Sequence, residues 1–272
     1  MQFWNQIYSH FDPVALQLGP IALHWYGIMY MLALLSALYA GKWFVKKDKL
    51  PFTNELLDSY FIWIEVGILL GARMGYIFFY DSHLEYYLAN PWQMFNPFLD
   101  GTFVGIRGMS YHGAIVGFLL ATWFFSLKYK MRMWGLLDLV ALSVPVGYIF
   151  GRIGNFLNQE LIGRPTEVSW GIYVDGVLRH PSQIYEAILE GLVVFVLLYV
   201  YRKRQKIQGE LIALYGLFYS LARFVAEFFR EPDFQIGFVY GEWMSKGQAL
   251  SLVMAMASLV LYIVILKRNI KG

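Results

Sequence analysis

An all-α integral membrane protein, with about seven transmembrane helices and a small extracytoplasmic β-containing cap, is the fold class that this sequence predicts. Three observations lead to it. Hydrophobic residues fill 58% of the 272 positions and charged residues only 15%, well below the roughly 25% charged that soluble domains carry. Apolar stretches approaching the ~20 residues needed to cross a bilayer recur along the chain. Lysine and arginine gather on alternate connections between those stretches, as they do on the cytoplasmic side of a membrane. Residues 1–272 therefore read as a single polytopic membrane domain, with insertions near 81–108 and 164–183.

The expected spans run near 21–41, 57–80, 109–127, 135–151, 184–201, 211–228 and 248–266. After the first, third, fifth and last come Lys42, Lys46, Lys47, Lys49, Lys128, Lys130, Arg132, Arg202, Lys203, Arg204, Lys206, Lys267, Arg268 and Lys271. The other side holds Arg107, Arg152, Arg164, Arg179, Arg230 and Lys246. Fourteen against six places the N-terminus outside and the C-terminus in the cytoplasm. No cleavable signal is expected, because the first twenty residues lack a basic start and a continuous apolar core and include Asp12 and Pro13.

The outer connections are long. Tyr86, Tyr87, Trp92, Phe95 and Phe98 make 81–108 rich in the aromatics that favour a membrane interface. In 164–183, Asp175-Gly176 between two short apolar runs signals a hairpin, the seed of the expected cap. Gly67, Gly71 and Gly75, four apart in the second span, give it a flat face for close helix packing.

Composition also excludes. With no cysteine there is no disulfide, no thiolate metal site and no cysteine nucleophile of the chain's own. Histidines 10, 24, 83, 112 and 180 form no close pair, so a zinc site is not expected. No nucleic-acid partner is expected either.

An ionisable side chain inside the hydrocarbon costs at least ~2.5 kcal/mol and usually marks a site. Topology and helical rise place Arg223 about 10 Å below the outer end of its span, with Arg73 at a similar depth. His112, Arg152, Asn155 and Glu186 fall at outer helix ends, whereas Glu65 and Asp138 lie outside this group. Tyr219, Arg223, Glu227 and Arg230 follow helical spacing and are expected on one face. A purely structural reading has Arg223 and Glu227 neutralise each other. Arg152, Arg73 and His112 at the same depth bring more cations than nearby carboxylates, which favours an anionic ligand. Arginine suits phosphate because its planar fork donates paired hydrogen bonds and stays charged when desolvated, and a phosphate in the outer half of a membrane points to a phospholipid headgroup. His112, in Ser110-Tyr-His-Gly-Ala114, is either a base for neutral-pH proton transfer or an imidazole bonded to a neighbouring helix. His24, beside Trp25 and Tyr26 at the interface, takes the structural reading.

Gly151-Arg-Ile-Gly-Asn-Phe-Leu-Asn-Gln-Glu-Leu-Ile-Gly163 resembles the signature of the prolipoprotein diacylglyceryl transferase family. The resemblance extends over nearly the whole chain. It includes His24-Trp-Tyr-Gly27, Gly71-Ala-Arg73, Ser110-Tyr-His-Gly113, His180-Pro-Ser-Gln-Ile-Tyr-Glu186, Arg223-Phe-Val-Ala-Glu-Phe-Phe-Arg-Glu-Pro-Asp233 and Gly247-Gln248. Ala114 departs from the pattern, since the family usually has a second glycine after the histidine.

The resemblance implies a bacterial cytoplasmic (inner) membrane enzyme. It would move the diacylglyceryl group of phosphatidylglycerol to the lipobox cysteine thiol of a prolipoprotein signal peptide, forming a thioether and releasing glycerol 1-phosphate. It assigns Arg152 and Arg223 to the headgroup phosphate. Asn155, Glu160, Gly163, Glu227 and Arg230 shape the site, Tyr26 and Tyr219 supply supporting hydroxyls, and His112 is the candidate base. The missing cysteine is compatible, because the acceptor thiol comes from the substrate, and the resemblance implies no metal or cofactor. An anion or lipid transporter is the alternative, but it is expected to carry polar residues on both sides of the midplane or half-repeats, and the sequence has neither. A retinal protein needs a lysine in the last span, which has none, and Ser110 and His112, two apart, make poor geometry for a protease dyad.

Overall fold

Helices begin where the sequence supplies caps and apolar runs, and the computed structural model describes them over residues 2–19, 21–99, 101–103, 105–232, 238–241 and 243–270. Asp233 and Lys271, named above in a motif and in the charge count, lie outside the described residues. The chain divides into two compact units, Met1–Leu50 with Leu137–Gly272, and Pro51–Leu136.

The first unit opens with a short α1 (Gln2–Asn5) and the antiparallel pair β1 (Val14–Leu18) and β2 (Ile21–His24), which leads directly into α2 (Trp25–Lys47). The first expected span thus starts later than residue 21, because Ile21–His24 pair as a strand.

In the second unit, α3 (Asn54–Phe79) starts at Thr53, whose hydroxyl accepts the Leu56 N–H at 3.2 Å. A short α4 (Leu84–Ala89) and the two-residue strands β3 (Phe98–Leu99) and β4 (Thr102–Phe103) follow. Then α5 (Tyr111–Lys128) begins at Ser110, whose Oγ accepts from the Gly113 N–H at 3.1 Å. The glycine face expected of α3 packs on α5. A Cβ at Gly75 would lie 2.7 Å from the Cα of Gly113, and one at Gly71 2.7 Å from the Cα of Gly117, so backbones touch where side chains would otherwise hold them apart.

The remaining elements belong to the first unit apart from the first turn of α6 (Met133–Leu157). The hairpin β5 (Ile172–Val174) and β6 (Val177–Arg179) turns at Asp175 and Gly176, which have φ of 50° and 79°. Two positive values are what a two-residue hairpin of the type I′ family needs, and Asp-Gly supplies them. Next come α7 (Ser182–Glu186), a π-helical turn over Ala187–Val193, and α8 (Val194–Tyr201). The helix α9 (Glu210–Ala226) is started by Asp138 of α6, whose carboxylate accepts the N–H groups of Gly209 at 2.6 Å and Ile212 at 3.0 Å. Asp138 is therefore a helix cap, consistent with its lying outside the expected site. Strands β7 (Phe238–Tyr240) and β8 (Met244–Ser245) precede α10 (Lys246–Ile270), which lies along α9.

Among the described residues, five helical stretches are long and apolar enough to cross a membrane: Trp25–Lys47, Asn54–Phe79, Met133–Leu157, Ser182–Arg204 and Lys246–Lys267. The third and sixth expected spans correspond to α5 and α9, of 18 and 17 residues. The protein is thus mostly helical, with small two-stranded sheets. Only the Asp175-Gly176 hairpin was expected. The β3–β4 pair also has an Asp-Gly dipeptide between its strands, Asp100-Gly101, but its strands are two residues long, and the other two pairs have no such dipeptide.

Candidate functional site

Three helical segments of the first unit bring Arg152, Arg223 and the carboxylates of Glu186, Glu190 and Glu227 together. Arg152 lies on α6, which continues to Leu157 rather than ending near residue 151. Tyr148, one turn earlier, accepts a 2.7 Å hydrogen bond from Nε of Arg152 and donates to Glu190. Nη1 of Arg152 donates to Asn155 at 3.1 Å, and Asn155 Nδ2 donates to Glu160 at 2.7 Å. Arg152 and Asn155, three residues apart on the continued helix, therefore share one face, and the chain of bonds extends to Glu160.

Arg223 enters from α9. Its Nη1 lies 3.3 Å from Glu186 and 3.4 Å from Glu190, and its Nη2 lies 2.5 Å from Glu227 one turn later. Glu186 also lies 2.9 Å from Nε of Arg152. Both Glu186 and Glu190 are fully buried. The π-helical turn that begins at Ala187 contains Glu190 and brings Gly191 against α6, where a Cβ would lie 3.3 Å from the Pro145 carbonyl oxygen. Single π turns of this kind recur at functional sites.

This arrangement corrects the charge count made from the sequence. Two arginines face three carboxylates, not fewer. Arg73, counted among the cations, belongs to the other unit, and there it donates to the carbonyls of Met94 and Arg107, to that of Gly108 at 3.3 Å and to the Tyr87 hydroxyl at 3.4 Å. What remains available is a matter of individual atoms. Among the described residues, Nη2 of Arg152 and Nε of Arg223 take no protein partner, and both side chains keep about 15% of their surface open. The carboxylates pair with both guanidinium groups, and among the described residues one nitrogen of each has no protein partner.

The shared helical face is also corrected. Tyr219, Arg223 and Glu227 keep their spacing, and the Tyr219 ring meets Tyr148 edge-on at 5.7 Å. The helix ends at Ala226, however, and Arg230 is no longer on it. The Arg230 backbone instead forms a bridge with Gly163. Around that bridge, Arg164 N donates to Phe229 O at 2.9 Å and Glu231 N to Ile162 O at 3.1 Å. Gly163 permits the close approach: a Cβ there would lie 2.9 Å from both the carbonyl carbon and the Cβ of His180. Gly163 and Arg230 thus tie the signature loop to the segment after α9. Gln183 reinforces the tie by donating to the Glu160 carbonyl at 2.5 Å.

Tyr26 stands in the first turn of α2, stacked on Tyr30 at 6.5 Å, and is close to Gly154, where a Cβ would lie 3.5 Å from its ring. In the second unit, His112 occupies the first turn of α5, exposed, with the Tyr111 ring edge-on at 6.0 Å. It opens onto an apolar groove of about 880 Å³ along α3 and α5, lined by Leu70, Met74, Phe78 and Leu120 among others. His24 precedes α2 in extended conformation and is exposed.

Tyr148 and Glu190 are site residues that the sequence analysis missed. Both carried a signal, since Tyr148 is four residues before Arg152 and Glu190 four after Glu186, the spacing that stacks side chains on one helix face. No group of three or more potential metal ligands occurs among the described residues.

A sequence profile of the family described as prolipoprotein diacylglyceryl transferase matches residues 13–264. Relatives carrying the name phosphatidylglycerol–prolipoprotein diacylglyceryl transferase are similar over the full length. The one from Campylobacter curvus is 62% identical over 272 residues, covering all of both chains. That from Aliarcobacter butzleri is 58% identical over the same span, again covering both chains whole. That from Campylobacter lari is 61% identical, covering all of this chain and 99% of its own.

Proposed function

The chain belongs to the prolipoprotein diacylglyceryl transferase family, and from that premise we propose that it transfers the diacylglyceryl group of phosphatidylglycerol to the lipobox cysteine of a prolipoprotein signal peptide. The thiolate sulfur attacks the glycerol carbon that bears the phosphate oxygen. A carbon–sulfur bond forms, the carbon–oxygen bond breaks with its electron pair going to oxygen, and glycerol 1-phosphate leaves. The single observation that carries this reading is the convergence of Arg152 and Arg223, each with one donor left open beside a shared carboxylate. Two planar cations held in advance can take a phosphodiester and stabilise the extra charge that grows on it as the bond breaks.

In this reading Asn155, Glu160 and Glu227 orient the two forks, Gly163 and Arg230 hold the signature loop, and Tyr26 and Tyr219 add hydroxyls. A cysteine thiol, with an ordinary pKa of about 8.5, needs a base at neutral pH, and His112 is assigned that role. The protein sits in the bacterial inner membrane with seven spans, α5 and α9 completing the five longer ones. Its N-terminus and the β5–β6 cap face outward, and its C-terminus is cytoplasmic.

The test is a transfer assay in detergent with phosphatidylglycerol and a cysteine-containing signal peptide. Thioether product and glycerol 1-phosphate are expected. His112→Gln should lower turnover by roughly 10²-fold, with partial recovery as rising pH supplies thiolate directly. Phosphatidylglycerol binding without any thioether would favour a lipid carrier over a transferase.

A further inference from the structure

Glu227 is gripped from two sides. One carboxylate oxygen lies 2.5 Å from Nη2 of Arg223, and the other accepts a 3.0 Å hydrogen bond from Oγ of Ser245. Ser245 is the residue before α10, and it shares a reciprocal cap with Gln248. Oγ of Ser245 accepts the Gln248 N–H at 3.2 Å, and Oε1 of Gln248 accepts the Ser245 N–H at 2.9 Å. That is the capping-box arrangement, and it leaves the serine only one use for its proton. The hydroxyl accepts from the helix and donates to Glu227. Ser245, Gln248 and Glu227 are all buried, at 2%, 0% and 6% exposure, so water does not compete for these bonds.

Gly247 completes the arrangement. A Cβ there would come within 2.7 Å of the Glu227 carboxylate carbon and 3.0 Å of one of its oxygens. Glycine inside a helix is disfavoured relative to alanine by up to ~1 kcal/mol. Its φ is not in the left-handed region, so backbone freedom does not explain it. The space it leaves is occupied by the carboxylate.

We propose that Ser245 and Gly247 are positioning residues for Arg223. Ser245 fixes the direction of the Glu227 carboxylate, Gly247 gives it room, and Glu227 in turn sets the plane of the guanidinium. Neither residue touches substrate. The start of α10 is therefore a post against which the phosphate-binding fork is aligned, a role that rests on the reading of Arg223 as a phosphate ligand.

The experiment is steady-state transfer from phosphatidylglycerol micelles to a cysteine-containing peptide, with thermal unfolding of each variant measured in the same detergent. Gly247→Ala should lower kcat about tenfold with KM for the peptide unchanged, and the loss should persist when rates are normalised to the folded fraction. Glu227→Asp retracts the carboxylate by one methylene and should also lower kcat. In Gly247→Ala/Glu227→Asp the shorter carboxylate fits beside the added methyl, so the double variant should be faster than the product of the single effects. Ser245→Ala should lower kcat severalfold, and Ser245→Thr, which keeps acceptor and donor, should restore it. Multiplicative effects in the double variant, or losses that only track the folded fraction, overturn the proposal. Arg223→Lys separates the two levels. If it is impaired while Gly247→Ala is normal, positioning fails and the phosphate reading stands; if it transfers at the parent rate, the phosphate reading fails and takes this inference with it.

Discussion

Arg152 and Arg223, from different helices, meet at one oxygen. The same atom of the buried Glu186 carboxylate lies 2.9 Å from Nε of the first and 3.3 Å from Nη1 of the second. A shared counter-ion between two cations holds both at one point and lets them act on one group.

The first prediction concerns those forks. Lysine keeps the charge but has no planar pair of donors. Arg152→Lys and Arg223→Lys should each lower transfer by about 10²–10³-fold, equivalent to roughly 2–4 kcal/mol of transition-state stabilisation. Because both act on one phosphate, the double variant should lose less than the sum. Parent rates in both lysine variants, with lipid binding intact, would sink the phosphate assignment.

The arginines were legible in the sequence because charge in a hydrocarbon span is expensive and therefore conspicuous. The glycine face of α3 and the Asp175-Gly176 hairpin were legible for similarly local reasons, a four-residue repeat and a turn that demands positive φ. Arg230 was misread because helical spacing was carried past Ala226, where backbone pairing with Gly163 takes over. That pairing joins residues 67 positions apart and leaves no periodic trace. The charge balance was misread for a different reason. Depth alone grouped Arg73 with the other cations, whereas its donors go to backbone carbonyls of the 81–108 segment. Gly247 stood out only within the Gly247-Gln248 match, and Ser245 only as the head of a Ser-x-x-Gln helix start; their relation to Glu227 is visible in three dimensions alone.

Glu186 supplies the second prediction. Among the described residues Glu186 is the carboxylate paired with Arg152, and removing one partner of a buried pair leaves the other charge uncompensated, which typically costs about 3–5 kcal/mol. Glu186→Ala should therefore lower the unfolding temperature in detergent markedly, and Glu186→Gln, which keeps the shape, less so. The loss should exceed that of Glu227→Ala, since Glu227 contacts only one of the two arginines. An unchanged unfolding temperature in Glu186→Ala would mean that the arginines do not depend on their shared counter-ion.

His180 gives a pH dependence outside the spans. Burial against Tyr185 and Phe229 holds its imidazole below the usual histidine range. With the folded value depressed, the unfolded chain binds the proton first. Stability around the β5–β6 hairpin should be constant above the ordinary value of about 6.5 and fall as pH drops through it, levelling off below the folded value. Hydrogen exchange of the Thr166 and His180 amides, which donate to Leu178 and Arg164 carbonyls at 2.9 and 3.0 Å, reads this directly. His180→Phe should remove the dependence; if the amides in that variant still lose protection below pH 6.5, another group is titrating.

Arg73 provides the contrast with the site arginines. Its guanidinium bonds to the carbonyls of Met94, Arg107 and Gly108 and lies 5.4 Å from the centre of the Tyr87 ring. Those partners come from the middle and the far end of the connection between α3 and α5, which also starts its return with Ser110 N donating to Ala72 O at 2.8 Å. Leaving the buried Met94 carbonyl without a donor costs about 1–3 kcal/mol, and the part-buried Arg107 and Gly108 carbonyls add less. Arg73→Ala should therefore lower the yield of folded protein and expose the 81–108 segment to protease. Transfer per folded molecule should fall far less than in Arg152→Lys. Arg73→Lys should recover part of the yield, because an ammonium group can still reach one or two of the carbonyls. If Arg73→Ala instead folds normally and loses transfer by 10²-fold or more, then Arg73 acts on substrate, and its carbonyl contacts are secondary to that role.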